Sequence, residues 1–261
     1  MTTILIVPGA WIAPAFYRPF IQALTVAGYD VHFAGYPSFN PADPSATTCQ
    51  TDADAITVPL KSLVEDEGKD VLVFMYSYGG MPGAAAATGL AKSQRAQEGK
   101  PGGVIGLLFL ASFIVPEGLS CAGLQGGNLP PLDLGRSGRT SSPHSPSANL
   151  NIVDDLIHNF AADVDPALVQ SLTAEVKPHS TLSFTSPQPH PAWADEAFQG
   201  RLAFIVTTED RAVPKEAQFG MMAATQKTWI VKELASSHCA PFLNRIEETV
   251  GLTREIIDQF L

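Results

Sequence analysis

Residues 71–80 read VLVFMYSYGG, a continuous apolar run that meets Ser77 and a pair of glycines. An unbroken run of this length is typical of a strand buried on both faces of a parallel sheet. The Ala-rich stretch at 81–96 predicts a helix, and a proline such as Pro82 is tolerated in a first turn. The chain must therefore turn sharply at Ser77, which would lift the serine hydroxyl above the carboxyl edge of the sheet.

A serine on such a turn needs glycine close behind it, because a side chain there would collide with the strand and the helix. Gly79 meets this requirement. Met75 stands where the full G-x-S-x-G pattern has its first glycine, so only half of the nucleophile-elbow motif is present. On this motif alone, an ordinary serine in a strand-turn-helix unit stays an alternative to a nucleophile.

A serine hydroxyl is a weak nucleophile and needs a base within hydrogen-bonding reach. His238 follows the last predicted strand and precedes the last predicted helix, which places it in a loop at the same edge of the sheet. The other histidines lie in a strand or in the long stretch between two strands, namely His32, His144, His158, His179 and His190. We therefore predict that His238 is the base, against the alternative of a solvated loop histidine.

The base needs a carboxylate that fixes its tautomer and stabilises its protonated form. Asp210 and Glu209 both follow the predicted strand at 201–207, and Asp210 is favoured because it lies deeper in the turn before Pro214. A helix-capping role for Asp210 stays an alternative. The order serine, aspartate, histidine along the chain is the one that this kind of sheet imposes on a catalytic triad.

An oxyanion hole requires backbone N–H groups that point at the charge developing in the transition state. Tyr78, directly after the serine, supplies one of them by its position. The loop that follows the first strand, Pro8 to Trp11, is expected to supply the second, from Ala10.

Strands and helices alternate along most of the chain, which predicts an α/β fold with a mostly parallel sheet flanked by helices. The predicted strands are residues 3–7, 29–34, 71–75, 104–110, 201–207 and 228–231. The alternation of strands and helices is interrupted at residues 117–199, where a loop dense in Gly, Pro and Ser at 118–147 precedes two helical patterns. We expect residues 1–116 and 200–261 to form the core, and residues 117–199 to be an inserted helical lid, as long insertions between sheet strands often are.

Composition excludes several classes of function. The net charge of -10 disfavours nucleic acid or an anionic membrane as a partner, since both require clustered Lys and Arg. Three dispersed cysteines, without CxxC or Cys/His spacing, support neither a disulfide framework nor a metal site. The first residues read as a buried strand and not as a signal peptide, and no apolar stretch is long enough to span a membrane. We expect a cytoplasmic enzyme without a cofactor, acting on a small molecule; a homodimer is possible.

The sequence resembles the α/β-hydrolase superfamily, in particular compact fungal and bacterial hydrolases related to plant methylesterases and hydroxynitrile lyases. The stretches that carry the resemblance are Val7–Trp11, Tyr76–Gly80, Thr208–Pro214, and Ser237-His238 with Pro241-Phe242. The resemblance implies Ser77 as nucleophile, His238 as base, Asp210 as its orienting group, and Ala10 and Tyr78 as oxyanion donors. Pro8, where many relatives have histidine, and Met75 depart from the family pattern.

An ester or lactone hydrolase acting through an acyl-enzyme is the function that these residues favour. Trp11, Phe160, Phe184 and Trp193 are the aromatic candidates for lining the pocket, and a lid with few charges predicts an uncharged substrate. A lyase or cyclase that uses the same triad only as acid and base is the alternative, since hydroxynitrile lyases share the fold. A binding protein without turnover is a further alternative, disfavoured because a binder has no need of a complete triad.

Overall fold

The computed structural model describes residues 2–127, 149–153 and 155–261. At its centre lies a six-stranded sheet in which all neighbouring strands are parallel. The strands of the described residues are β1 (Thr3–Val7), β2 (Asp30–Phe33), β3 (Asp70–Tyr76), β4 (Gly103–Leu110), β5 (Leu150–Asn151), β6 (His179–Ser180), β7 (Leu202–Thr207) and β8 (Ile230–Leu234). The order across the sheet is β2-β1-β3-β4-β7-β8, while β5 and β6 form a separate antiparallel pair.

Burial follows the position of each strand in the sheet. β1, β4 and β7 are buried at every residue, and β3 at every residue after its first. The edge strands β2 and β8 are partly exposed. This explains why the central strands read as continuous apolar runs, whereas the weakly patterned β8 begins two residues later than predicted.

Helices flank the sheet. Those of the described residues are α1 (Arg18–Val26), α2 (Cys49–Lys61), α3 (Gly80–Ala86), α4 (Lys92–Gln97), α5 (Cys121–Leu124), α6 (Leu156–Phe160), α7 (Pro166–Ala174), α8 (Thr181–Thr185), α9 (Lys215–Ala224) and α10 (Ile246–Phe260). A capping box at Thr48 begins α2, because the Thr48 and Thr51 side chains satisfy each other's backbone amides. The predicted α/β architecture is therefore confirmed.

The prediction of one helix over 81–96 is wrong in its continuity, because α3 and α4 are separate. The turn between them contains Gly89 with φ of 74°. Ala91 then forms a parallel bridge with Val104, which places this part of the chain beside the amino end of β4. A glycine inside an Ala-rich pattern allowed this break, since Gly adopts positive φ without the steric cost that other residues have.

Residues 117–199, which we call the inserted segment, connect β4 to β7. Its described part contains α5 to α8 and the β5–β6 pair. Two-residue strands are too short to produce an alternating pattern, so the sequence did not predict them. Most of the predicted Gly/Pro/Ser-dense loop, from 128 to 147, lies outside the described residues.

Among the helices that the structure describes, none is long and apolar enough to cross a lipid bilayer.

Candidate active site

Ser77 lies directly after the carboxyl end of β3, in a 3-10 turn that leads into α3. Its φ is 52°, a left-handed conformation that is unfavourable for a residue with a side chain. The Ser77 carbonyl accepts hydrogen bonds from Ser112 Oγ at 2.7 Å and from Phe113 N at 3.1 Å. These contacts from the end of the neighbouring β4 hold the strained turn in place, as is typical of functional sites.

Gly79 is required by close packing beneath this turn. A Cβ atom on Gly79 would overlap the backbone carbonyl oxygens of Val7 and Pro8, which cannot move without distorting the end of β1. A Cβ atom on Gly80 would likewise overlap Ser112 Oγ and the Phe113 carbonyl oxygen. The glycine pair therefore lets the turn approach both neighbouring strands, as the sequence predicted for Gly79.

Met75 replaces the first glycine of the elbow pattern, and Gly83 makes room for it. The Met75 side chain is fully buried. A Cβ atom on Gly83 of α3 would lie 2.8 Å from Met75 Cγ and 2.9 Å from Met75 Sδ. Gly83 of the facing helix thus leaves the space that a glycine at position 75 would otherwise leave. The methionine therefore changes the packing under Ser77 without displacing Ser77.

The three polar side chains predicted to act together form a hydrogen-bonded line. Ser77 Oγ lies 2.9 Å from His238 Nε2, and His238 Nδ1 lies 2.7 Å from Asp210 Oδ2. Asp210 follows β7 and His238 follows β8, so both reach Ser77 from the carboxyl ends of parallel strands. In this arrangement the serine hydroxyl donates to Nε2, while Nδ1–H donates to the carboxylate.

Asp210 is fully engaged as a hydrogen-bond acceptor. Its Oδ1 accepts the backbone N–H groups of Ala212 and Val213, both at 2.8 Å, and its Oδ2 accepts the Thr207 hydroxyl at 2.7 Å in addition to His238. Four donors therefore hold the carboxyl group in one orientation. Asp210 does bind turn amides, as the capping alternative required, but helix α9 has Pro214 as its N-cap. Glu209 is exposed and takes no part.

Tyr76, which the sequence did not single out, supports His238 from below. The Tyr76 hydroxyl donates to the His238 carbonyl at 3.1 Å, and the two rings are 4.9 Å apart. Phe160 of the inserted segment places its ring edge-on to the imidazole at 4.9 Å, and its carbonyl accepts the Cys239 amide at 2.7 Å. Tyr76 ends an apolar strand run and gives no sequence signal for this role, because its hydroxyl meets a residue 162 positions away.

The site is enclosed by aromatic side chains. Only 4% of Ser77 and 1% of His238 is accessible to solvent. Trp11 stacks on Phe184 at 5.3 Å and meets Phe160 edge-on at 6.0 Å, so three of the four predicted aromatic residues form one cluster at the triad. Trp193 is buried in a short turn elsewhere and makes no ring contact with these three among the described residues.

The loop after β1 is attached to the inserted segment. Trp11 has φ of 64°, and its indole N–H donates to Asn151 Oδ1 of β5 at 2.6 Å. The Trp11 carbonyl accepts the Lys177 amide at 2.8 Å, and Ile12 forms an antiparallel bridge with Val176. These contacts therefore join the inserted segment to the loop that contains Ala10.

The two predicted oxyanion donors belong to the turn that begins at Ser77 and to the loop that follows β1. Tyr78 follows it in the first turn after β3, where helix amides lack partners within the helix. The Gly9 amide donates to the Tyr17 hydroxyl at 3.1 Å, whereas the Ala10 amide has no backbone acceptor among the described residues.

A second buried polar cluster lies behind Tyr78. Asp52 of α2 accepts the Tyr78 hydroxyl at 2.6 Å, the Ser38 amide at 3.0 Å and the Ser38 hydroxyl. Ser38 Oγ also contacts His179 Nε2 at 3.1 Å. Burial raises the pKa of Asp52 to about 6, and burial lowers the pKa of His179 to about 3. The cluster anchors the Tyr78 side chain but is closed to solvent, so we assign it no chemistry of its own.

The raised pKa of Asp52 predicts how protein stability depends on pH. A carboxyl group whose pKa is higher in the folded chain than in the unfolded chain adds stability at low pH. This contribution is complete below the pKa of the unfolded chain and is lost as the pH rises through the pKa of the folded chain. Relative to an Asp52→Asn variant, the native protein should gain about 1 kcal/mol of unfolding free energy between about pH 7.5 and about pH 5. Urea denaturation of both proteins at the two pH values measures their unfolding free energies. The prediction is contradicted if the difference between native protein and variant is the same at both pH values or changes in the opposite direction.

The other described histidines are engaged elsewhere. His32 lies beside Asp30, His158 beside Arg211, and His190 between Glu117 and Asp195. His144 lies outside the described residues. No group of three or more His, Cys, Asp or Glu side chains in the described ranges is arranged to hold a metal ion.

Comparison with known proteins identifies the family to which this fold belongs. "Alpha/beta hydrolase nvfD" of Aspergillus novofumigatus is 23% identical over 256 residues, covering 96% of this chain and 94% of the relative. Among solved structures, a pyrethroid hydrolase from Sphingobium faniae JZ-2 has a TM-score of 0.68 at 19% identity, covering 98% of this chain and 97% of that one. The methylesterase MES16 from Arabidopsis has a TM-score of 0.69 at 15% identity, with both chains covered fully. The model of the alpha/beta hydrolase family matches residues 4–252, and the chain therefore belongs to that family.

Proposed function

We propose that this protein is a serine hydrolase that cleaves a small, mostly uncharged ester or lactone. The observation that carries the proposal is the continuous line of hydrogen bonds from Ser77 Oγ through the His238 imidazole to Asp210. Hydroxyl, imidazole and buried carboxylate in this order form a general base and its orienting group beside a nucleophile. Family membership and the hydrolase relatives support the broader assignment as a hydrolase.

In the proposed reaction, His238 Nε2 takes the proton of Ser77 as Oγ attacks the carbonyl carbon of the substrate. The negative charge that moves onto the carbonyl oxygen is held by the amides of Ala10 and Tyr78. His238 then gives its proton to the departing alcohol oxygen, which leaves an ester on Ser77. A water molecule, activated in the same way, releases the acid and restores the serine. Asp210 stabilises the imidazolium in both halves.

The surroundings of Ser77 favour an uncharged substrate. The rings nearest the triad belong to Trp11, Phe160 and Phe184, and the carboxylate of Asp210 is already satisfied by four donors. Binding a charged group here would carry a desolvation cost without a partner charge. That two proteins of the same fold are named as a pyrethroid hydrolase and a methylesterase also supports an ester. The inserted segment, in this proposal, forms the pocket wall and acts as a lid.

A substrate panel combined with an active-site probe tests the proposal. A fluorophosphonate should label Ser77 stoichiometrically, as peptide mass spectrometry would show, and labelling should abolish turnover of short acyl esters or lactones. Turnover of cyanohydrins alone would instead support the lyase alternative. Absence of labelling and of turnover, together with tight binding of a ligand, would support a binding protein.

A further inference from the structure

The direction of an amide N–H is fixed by what holds the carbonyl of the same peptide group. A trans peptide is planar, and its C=O and N–H point in opposite directions. The two proposed oxyanion donors belong to the Gly9–Ala10 and Ser77–Tyr78 peptides. The groups that bind the carbonyls of Gly9 and Ser77 therefore decide where these two N–H groups point.

The Ser77–Tyr78 peptide is held by several donors. The Ser77 carbonyl accepts Ser112 Oγ, the Phe113 amide and the Gly80 amide, two of which are backbone groups. Loss of any one of them would leave the others in place, so no single side chain controls this half of the oxyanion hole.

The Gly9–Ala10 peptide depends on one side chain. Tyr36 Oη donates to the Gly9 carbonyl at 2.7 Å, and no other hydrogen bond to this carbonyl is formed within the described part of the chain. The Pro8 carbonyl lies farther from the same hydroxyl, at 3.1 Å, and a hydroxyl has only one proton to donate. Tyr17 holds the preceding peptide through the Gly9 amide.

Tyr36 is itself held rigidly. It is buried, and its ring packs edge-on against Tyr78 at 5.6 Å and against His179 at 5.9 Å. It therefore contacts the side chain of one proposed donor residue while its hydroxyl orients the peptide of the other. A rigid tyrosine of this kind keeps a donor in place before the reaction, so the transition state is stabilised without a reorganisation cost.

We propose that Tyr36 is a positioning residue of the oxyanion hole: its hydroxyl, by holding the Gly9 carbonyl, aims the Ala10 N–H at the reacting carbonyl. This inference rests on the proposed hydrolase function. It assigns Tyr36 no contact with the substrate.

The test compares Tyr36→Phe with Tyr29→Phe, which removes a hydroxyl at the other end of β2, away from Ser77. Loss of an oxyanion donor costs about 100- to 1000-fold in kcat, so a misdirected donor in Tyr36→Phe should cost about 10- to 100-fold. KM should stay close to the native value, since the donor acts on charge that appears only in the transition state. Tyr29→Phe should match the native enzyme in both constants.

A trifluoromethyl ketone provides a second measurement that a purely structural role would not change. Ser77 Oγ adds to its carbonyl, the serine proton passes to His238, and the resulting oxyanion occupies the hole. The Tyr36→Phe substitution should lower the affinity of the enzyme for this inhibitor by a factor similar to the loss in kcat. The affinity for the product alcohol should stay unchanged. 4-Aminophenylalanine at position 36, which keeps a donor at the ring's end, should restore most of the activity and serves as the folded comparison if Tyr36→Phe is unstable.

A folded Tyr36→Phe enzyme with native kcat and native affinity for the ketone would overturn the inference, and so would failure of the 4-aminophenylalanine variant to exceed Tyr36→Phe. These outcomes are separate from failure of the proposed function. If only the inference about Tyr36 fails, a fluorophosphonate still labels Ser77 and ester turnover still depends on Ser77. If the proposed function fails, neither of these holds.

Discussion

Replacement of Ser77 by alanine should lower kcat for the best ester substrate by about six orders of magnitude, the loss measured when a serine protease loses its nucleophile. The change removes the atom that forms the acyl-enzyme, while His238 keeps its partner Asp210 and the pocket keeps its shape. Steady-state kinetics with a chromogenic ester, on protein purified free of any native enzyme, measures the loss. Substrate affinity of the variant should stay near the native value.

Ser93→Ala, which removes an exposed serine hydroxyl on α4, is the matched control and should retain native activity. The decisive contrary outcome is activity that survives in Ser77→Ala. Such activity would mean that the His238–Asp210 pair acts as a base without a covalent intermediate, as the lyase or cyclase alternative requires.

Asp210→Asn should lower kcat by about 10⁴-fold, the loss seen when the equivalent carboxylate of a serine protease becomes an amide. The carboxylate accepts four hydrogen bonds, from Thr207, Ala212, Val213 and His238. An amide has one acceptor oxygen, and the N–H groups of Ala212 and Val213 would hold it at the Oδ1 position. Its NH₂ group would then face Nδ1 and favour the histidine tautomer whose Nε2 carries a proton, which cannot accept one from Ser77.

Glu209→Gln is the control for this prediction, since it makes the same chemical change at the adjacent, exposed carboxylate. Measurement of kcat for both variants separates the two positions, and circular dichroism establishes that each is folded. Equal losses in the two variants, or a larger loss in Glu209→Gln, would show that Asp210 is not the group that orients His238.

The elements of the fold that local hydrophobic patterns define could be predicted from the sequence. The apolar runs at β1, β3, β4 and β7 have the composition of strands buried on both faces, so their positions were predicted within one residue. The helix break at Gly89 and the strands β5 and β6 were missed. Gly89 marks the break locally, but an isolated glycine is also tolerated inside a helix, so its presence did not decide between one helix and two. β5 and β6 pair with each other across a long stretch of chain, which leaves no periodicity in two-residue strands.

The convergence of the three side chains that we propose as a triad could also be predicted, because parallel strands bring all their carboxyl ends to one edge of a sheet. Ser77, Asp210 and His238 each follow a strand, so chain order and residue type were enough to select them. The choice of Asp210 over Glu209 rested on its depth in the turn, and the structure buries the first and exposes the second. Trp193 was grouped with the other aromatic candidates by residue type alone, which does not report distance.

The sequence by itself thus determined the architecture and the three polar groups at the sheet edge, since hydrophobic runs and strand order act through the backbone. Only the tertiary structure decided which groups hold that site in position. Tyr36 binds the Gly9 carbonyl, Tyr76 supports His238 and Asp52 anchors Tyr78, each across at least 26 residues of chain. Such hydrogen bonds depend on the distance and angle between atoms of different elements, and these are set only when the elements pack together.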